Sequence, residues 1–173
     1  MAPAFPHPDR LQSATLSPKI NLNDFDCDDS DLNDFIKHDA INYQLKYLAH
    51  TTCVFFDNKL VGFYSLSADA LNLESSEKKR VGKSVGKRLR TYPAIKLARM
   101  AVDKAYKRSG LGSSIVEIIK GFAVDLNQKG IAIRFITVDA YPQVIGFYKH
   151  CGFILNHKPE KDHTVSMRYD TFK

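Results

Sequence analysis

The chain has 173 residues, 44% of them hydrophobic, and carries a formal net charge of +6, so one core can be filled and a basic face is left over. No stretch approaches membrane-spanning length, and the opening Met-Ala-Pro-Ala-Phe-Pro-His-Pro has neither the basic start nor the apolar run of a secretion signal. Three cysteines, Cys27, Cys53 and Cys151, cannot all pair and lack metal-ligand spacing, and the six histidines form no ligand pair on one helix turn, so a reducing cytoplasm and no metal are expected.

Pro3, Pro6, Pro8 and Pro18 make residues 1–18 an extended or mobile arm ahead of a domain over 19–173. Ser30 or Asp31 can cap a helix to about Leu48, with Leu32, Phe35, Ile36, Tyr43 and Tyr47 facing inward. Residues 51–56 and 60–67 flank Asp57-Asn58-Lys59 and read as a hairpin. Ile95 to Val102 is apolar except for Lys96 and Arg99, as in a buried strand. A helix follows from Gly110 to Leu126, with an apolar stripe of Leu111, Ile115, Ile118, Ile119, Phe122, Ala123 and Leu126, and Gly130 closes it. Ile131 to Val138 is a second core strand, so strand, turn, helix and strand make a right-handed crossover. A helix from Pro142 to Gly152 and a strand pair, 153–156 with 163–169, complete an α/β fold with a mixed central sheet and helices on both faces.

The turn from strand to helix, Lys107-Arg108-Ser109-Gly110-Leu111-Gly112, carries the most chemistry. Gly110 and Gly112 remove side chains where the helix begins, so backbone N–H groups and the positive end of the helix dipole can approach a pyrophosphate, with Lys107 and Arg108 supplying charge. The dinucleotide pattern Gly-x-Gly-x-x-Gly fails at Ile115. A triphosphate loop ending in Gly82-Lys83-Ser84 fails because Glu77 stands where its leading glycine belongs.

Lys107 to Gly112 resembles the acyl-coenzyme A signature of the Gcn5-related N-acetyltransferase (GNAT) superfamily, Gln/Arg-x-x-Gly-x-Gly/Ala, with Lys107 departing at the first position. Phe147-Tyr148-Lys-His-Cys-Gly-Phe153 resembles the closing helix of that superfamily. Together with Phe25-Asp26-Cys27 and Leu97-Ala-Arg-Met-Ala-Val-Asp103, it makes residues 20–171 similar to the toxin acetyltransferases of bacterial toxin-antitoxin pairs, which acetylate aminoacyl-tRNA. The resemblance implies a single GNAT domain using acetyl-CoA. Its coenzyme contacts would come from Met100, Ala101, Val102, Lys107, Arg108, Ser109, Gly110, Leu111, Gly112 and Ser113, the first three through backbone groups of a splayed strand. It further implies a small DNA-binding antitoxin as partner and a homodimer as one assembly, with no membrane involved.

Thioester aminolysis needs a neutral amine, an oxyanion donor and a proton for the departing thiolate. The resemblance implies that the amides of Met100 to Val102 serve the oxyanion and that Tyr148, which matches the family's tyrosine on the closing helix, is the general acid; a phenol near pKa 10 is protonated where a thiol near 8.5 leaves. The alternative for Tyr148 is core packing, as for Phe147 beside it. Nothing orients Asp103, Glu74 or Glu77 as a base, which favours an acceptor amine that is already partly neutral, such as an α-amine near pKa 8. Cys151 reads as a buried structural thiol in preference to an acyl-carrying nucleophile, having only His150 beside it.

Charge is uneven along the chain. Residues 1–70 hold five Lys/Arg against ten Asp/Glu, residues 71–99 nine against two, and residues 100–173 eleven against seven. In the middle block Lys78, Lys79, Arg80, Lys83, Lys87, Arg88 and Arg90 can follow a phosphate backbone, giving affinity for tRNA without base readout. The same run can also be a solvated loop that maintains solubility. Two other functions remain open: acetyl transfer to a small amine or protein lysine, and a non-catalytic nucleic-acid-binding module on this fold.

Overall fold

A computed structural model describes residues 8–73, 77, 78, 81, 89–156 and 164–172. Strands β1 (Leu11–Thr15), β2 (His50–Phe56), β3 (Lys59–Leu71), β4 (Tyr92–Val102), β5 (Phe135–Ala140), β6 (Ile154–Leu155) and β7 (Val165–Asp170) form one mixed seven-stranded sheet in the order β1-β2-β3-β4-β5-β7-β6. The helices are α1 (Ser30–Asp34), α2 (Ala40–Leu45), α3 (Leu111–Gln128) and α4 (Ile145–His150), with a π turn over Phe35–Asp39. Two compact units divide the chain: residues 1–67 with 97–119, and residues 68–96 with 120–173.

In the first unit, Asp57 (φ +47°) and Asn58 (φ +61°) make a two-residue turn of the kind that matches strand twist, and Phe56 pairs with Lys59 across it. The register slips between Val54 and Phe55, opposite Gly62. That glycine is required by contact: a Cβ there would lie 2.9 Å from the Ala101 carbonyl oxygen and 2.9 Å from Ile115 Cδ1. The core gathers Phe25, Phe35, Ile36, Cys53 and Phe63, with the Phe63 ring 5.7 Å from Phe25 and 6.2 Å from Phe35. Each such ring contributes about 1.5–3 kcal/mol by leaving water.

Three expectations are corrected in this unit. The segment read as a mobile arm over 1–18 pairs with the sheet over part of its length: residues 11–15 form β1, antiparallel to β2 from Leu11↔Phe56 to Thr15↔Thr52. It escaped the sequence pattern because only Leu11 is even half-buried, so no alternation marks it. The first helix is capped by Asp29, whose side chain accepts from the Leu32 N–H at 3.1 Å, one residue before the expected caps. The π turn then adds a residue to the helical phase. Phe35, Ile36 and Ala40 are buried as a result, while Tyr43 and Tyr47, expected inside, are 42% and 97% exposed.

In the second unit, Tyr92 and Phe135 meet edge to face at 5.8 Å within a core that includes Leu71, Leu73 and Ala94. β4 starts at Tyr92, three residues earlier than Ile95, and β5 starts at Phe135, later than Ile131. The late start has a local cause. The Asn127 side chain accepts from the Ile133 N–H at 2.7 Å and donates to the Ile133 carbonyl at 2.9 Å, occupying backbone groups that a strand partner would otherwise take. β7 pairs antiparallel with β5 (Phe135↔Asp170) and with β6 (Ile154↔Arg168). Helix α3 buries the four-spaced row Leu111, Ile115, Ile119 and Ala123, plus Val116, whereas Phe122 is 42% exposed.

Candidate functional site

β4 delivers the chain into a turn over residues 103–110. The Asp103 N–H donates to the Val61 carbonyl at 2.8 Å, ending the ladder. The Asp103 carboxylate, 4% exposed as a residue, accepts from the Ala105 N–H at 3.0 Å and from the Asp26 N–H at 3.4 Å. It is therefore a cap on the short helical turn Lys104–Tyr106, with both oxygens engaged by backbone N–H groups.

The chain then reverses. Ser109 donates its N–H and its hydroxyl to the Tyr106 carbonyl, at 3.3 and 2.6 Å, and both Arg108 (φ +61°) and Gly110 (φ +95°) lie in the left-handed region. The first helical bond of α3 runs from the Ser114 N–H to the Gly110 carbonyl at 3.1 Å. Leu111 is fully buried and its N–H reaches only the Ser109 hydroxyl, at 3.4 Å. The N–H groups of Gly110 and Gly112 have no acceptor among the described residues, and nothing lies within 4 Å of where a Gly110 side chain would start. Ser113, half-buried, completes the first turn. Amides without an acceptor at a helix start fit an anion such as a pyrophosphate.

A segment that the sequence marked only as part of a resemblance buttresses this turn. The Asp26 carboxylate accepts from Lys104 Nζ at 2.8 Å, Asn33 Nδ2 at 2.9 Å and the Asp28 N–H at 2.9 Å. These bonds, the Lys104 one first, hold its carboxyl well below the usual carboxylate range. The Lys104 N–H also donates to the Asp26 carbonyl at 2.8 Å, and Cys27 Sγ lies 3.2 Å from Asn33 Oδ1. Lys107, expected to lend charge to a phosphate, directs its ammonium to Asp28 Oδ2 at 3.1 Å. Arg108 has no ion-pair partner among the described residues.

Of the three β4 residues expected to offer backbone groups, Ala101 is buried and Met100 and Val102 are half-buried. Ala101 is the residue against which Gly62 makes its close approach. No sequence signal marks Gly62, since its role depends on which strand and helix it touches.

Tyr148 belongs to the second unit, on α4, and is 7% exposed. Its ring meets Phe147 at 5.1 Å and Phe153 at 5.4 Å, both near edge to face. Burial, and then the neighbouring Cys151, push its phenol up from the ordinary value. No hydrogen bond engages the phenol among the described residues. The ring thus packs as the bland reading expects, while the hydroxyl is available to a ligand. Cys151 is buried, as are Cys27 and Cys53, none of them in a disulfide, and His150 beside it is exposed.

Glu77 is also committed. Its carboxylate takes both terminal nitrogens of Arg168, at 2.8 and 3.1 Å, and Arg168 donates as well to Asn156 Oδ1 at 2.6 Å. Of the basic run, Lys78 is half-buried and Arg90 exposed, whereas Lys79, Arg80, Lys83, Lys87 and Arg88, like Glu74, lie outside the described residues. Among the described residues no helix is long and apolar enough to cross a membrane.

A mixed sheet thus carries a glycine-containing turn at the head of α3. Residues 49–155 match the model of the acetyltransferase (GNAT) domain family, and the chain belongs to that family, whose acetyl donor is acetyl-CoA. Solved structures share the fold over nearly the whole chain. AtaT complexed with acetyl-methionyl-tRNAfMet superposes with a TM-score of 0.78 at 19% identity, covering 93% of this chain and 95% of that one. A Tyr-to-Phe variant of the AtaT toxin, bound to the C-terminus of the antitoxin AtaR and acetyl-CoA, gives 0.72 at 18% identity, covering 93% of each. A Tyr-to-Phe variant of KacT gives 0.71 at 19%, covering 94% of this chain and 95% of that one.

Proposed function

We propose that this protein transfers the acetyl group of acetyl-CoA to the α-amine of an aminoacyl-tRNA in the cytoplasm, with a catalytic domain whose sheet begins at β1. The observation that carries the donor half is the pair of unengaged N–H groups at Gly110 and Gly112, at the head of α3. They would hold the pyrophosphate, with Ser109, Leu111 and Ser113 shaping the turn and Arg108 adding charge. The acceptor half rests on the basic run from Lys78 to Arg90 and on likeness to AtaT, a protein seen with an acetylated methionyl-tRNA.

In this reading the amine lone pair forms the new N–C bond, and backbone amides of Met100 to Val102 receive the negative charge that develops on the carbonyl oxygen. The C–S bond then breaks and the thiolate takes the phenolic proton of Tyr148. The proton shed by the amine goes to water, and the phenolate is reprotonated from solvent. Burial keeps the phenol protonated until the thiolate leaves. With Asp103 and Glu77 both occupied, no carboxylate among the described residues is identified as a base. An α-amine near pKa 8 does not need a strong one.

Labelled acetyl-CoA incubated with a panel of charged tRNAs should yield labelled N-acetyl-aminoacyl-tRNA. Absence of product from every charged tRNA rejects the acceptor, and label on a protein lysine or a small amine redirects it. A protein of this kind is expected to have a neutralising partner, as AtaT has AtaR, so coexpression of a neighbouring small DNA-binding protein should abolish product.

A further inference from the structure

Two of the three cations in residues 104–108 are held by two carboxylates from one acidic segment, and the two pairs are built differently. Asp26 holds Lys104 while also accepting from Asn33 and from the Asp28 N–H, so that pair is one bond in a network. Asp28 holds Lys107 by a single contact of 3.1 Å, and the two side chains are 55% and 45% exposed. The Asp28 backbone is fixed in the left-handed region at φ +57°, a conformation that Asp and Asn tolerate, and its N–H is pinned to Asp26. Asp28 is thus rigidly placed, yet its grip on Lys107 is weak and exchangeable. Lys107 also occupies the one motif position where this chain departs from its family's pattern.

We propose that Asp28 is an affinity-setting residue for the phosphate-bearing co-substrate. In the unliganded protein its carboxylate holds the Lys107 ammonium, and a pyrophosphate seated on the Gly110 and Gly112 amides takes that ammonium over. The lock rests on the acetyl-CoA reading of this turn. It weakens retention of the donor and of the coenzyme A left after transfer, because each binding event must break the pair and leave a carboxylate near a polyanion. Asp26 has no such role, since its other donors fix its carboxylate and the Lys104 backbone N–H is bonded to its carbonyl, so that pair stays formed whether or not a ligand is bound.

Titration calorimetry with coenzyme A tests this on four proteins: wild type, Asp28→Asn, Lys107→Gln and the double variant. Asparagine keeps the shape and the left-handed tolerance of Asp28. Asp28→Asn should tighten binding about threefold to fivefold at low salt, the scale of an exposed ion pair, and the gain should vanish at high salt. Lys107→Gln should weaken binding, and on that background Asp28→Asn should gain less than about twofold. A purely structural Asp28 would instead lower the melting temperature and loosen binding. Weaker or unchanged binding by Asp28→Asn overturns the lock, as does an equal gain on both backgrounds. Coenzyme A binding to none of the four overturns both the lock and the donor reading, whereas uncoupled binding by all four overturns the lock alone.

Discussion

The glycine turn and the closing helix divide the proposed chemistry in opposite ways. In that proposal the turn acts through main-chain amides, held in shape by Asp103 within the turn and by a distant acidic segment through Asp26 and Asn33. The closing helix acts through one side-chain hydroxyl, whose ring is buried between Phe147 and Phe153. Damage to the turn should therefore appear as lost binding, graded by how far the backbone moves. Damage at Tyr148 should appear as lost turnover with binding intact.

The sharpest way to break that contrast is Tyr148→Phe, which keeps the ring packing and removes only the hydroxyl. Turnover should fall about a hundredfold or more while the Kd for coenzyme A stays within about twofold of wild type, read by single-turnover kinetics beside calorimetry. Retained turnover would make Tyr148 a packing residue. Next in size is Gly62→Ala, whose methyl must come within 2.9 Å of the Ala101 carbonyl, a backbone atom that cannot rotate away. It should cost about 1–3 kcal/mol in denaturant unfolding and weaken coenzyme binding through the displaced strand end. Gly110→Ala, forced into φ +95°, should cost about 1–2 kcal/mol and weaken the same ligand, with the turnover of bound complex little changed. A turnover defect in Gly110→Ala without a binding defect would erase the division between the two regions.

The same contrast explains what could be read before the fold was known. The strand-to-helix turn was legible because its information is local: two glycines, two cations and an apolar-periodic helix stand within one stretch of chain. The short Asp57-Asn58 turn and the strand-helix-strand crossover were legible for the same reason. Long-range functions were not. Gly62 looks like any strand glycine until Ala101 and Ile115 are placed beside it, and Asp26 and Asp28 look like solvated acids until Lys104 and Lys107 arrive from 78 and 79 residues away. Tyr43 was misplaced because no residue type announces the π turn that shifts the helix phase, and Tyr47 because α2 ends at Leu45 and leaves it in the left-handed region at φ +55°. Asp103 was weighed as a base because capping depends on backbone geometry that the side chain alone does not disclose.

A third, smaller effect separates both regions from the basic run. Replacing Lys78 and Arg90 by glutamine should raise the KM for charged tRNA by about threefold to tenfold and reduce the salt slope of tRNA binding by about 0.7–0.9 for each lost phosphate contact, with coenzyme affinity unchanged. An unaltered salt slope would reduce these two residues to surface charge.

The smallest expected effect lies in pH dependence and bears on how the turn is held. Asp26 has its folded pKa lowered, mainly by Lys104, so its network contributes stability above the unfolded carboxylate value and loses it as pH falls through that range toward the folded value. Lys104 has its pKa raised by Asp26, so the matching contribution is present below the unfolded lysine value and is lost as pH rises past the folded one. Stability measured from about pH 2 to pH 5 should therefore climb less steeply in Asp26→Asn than in wild type. Because the pair is solvent-reached, the difference should shrink with added salt. Coenzyme binding by Asp26→Asn at neutral pH should weaken even where the fold is intact, since the turn loses its anchor at Lys104. If the acid limbs of the two proteins coincide, Asp26 is not titrating as part of the fold, and the turn must owe its shape to Asp103 and Ser109 alone.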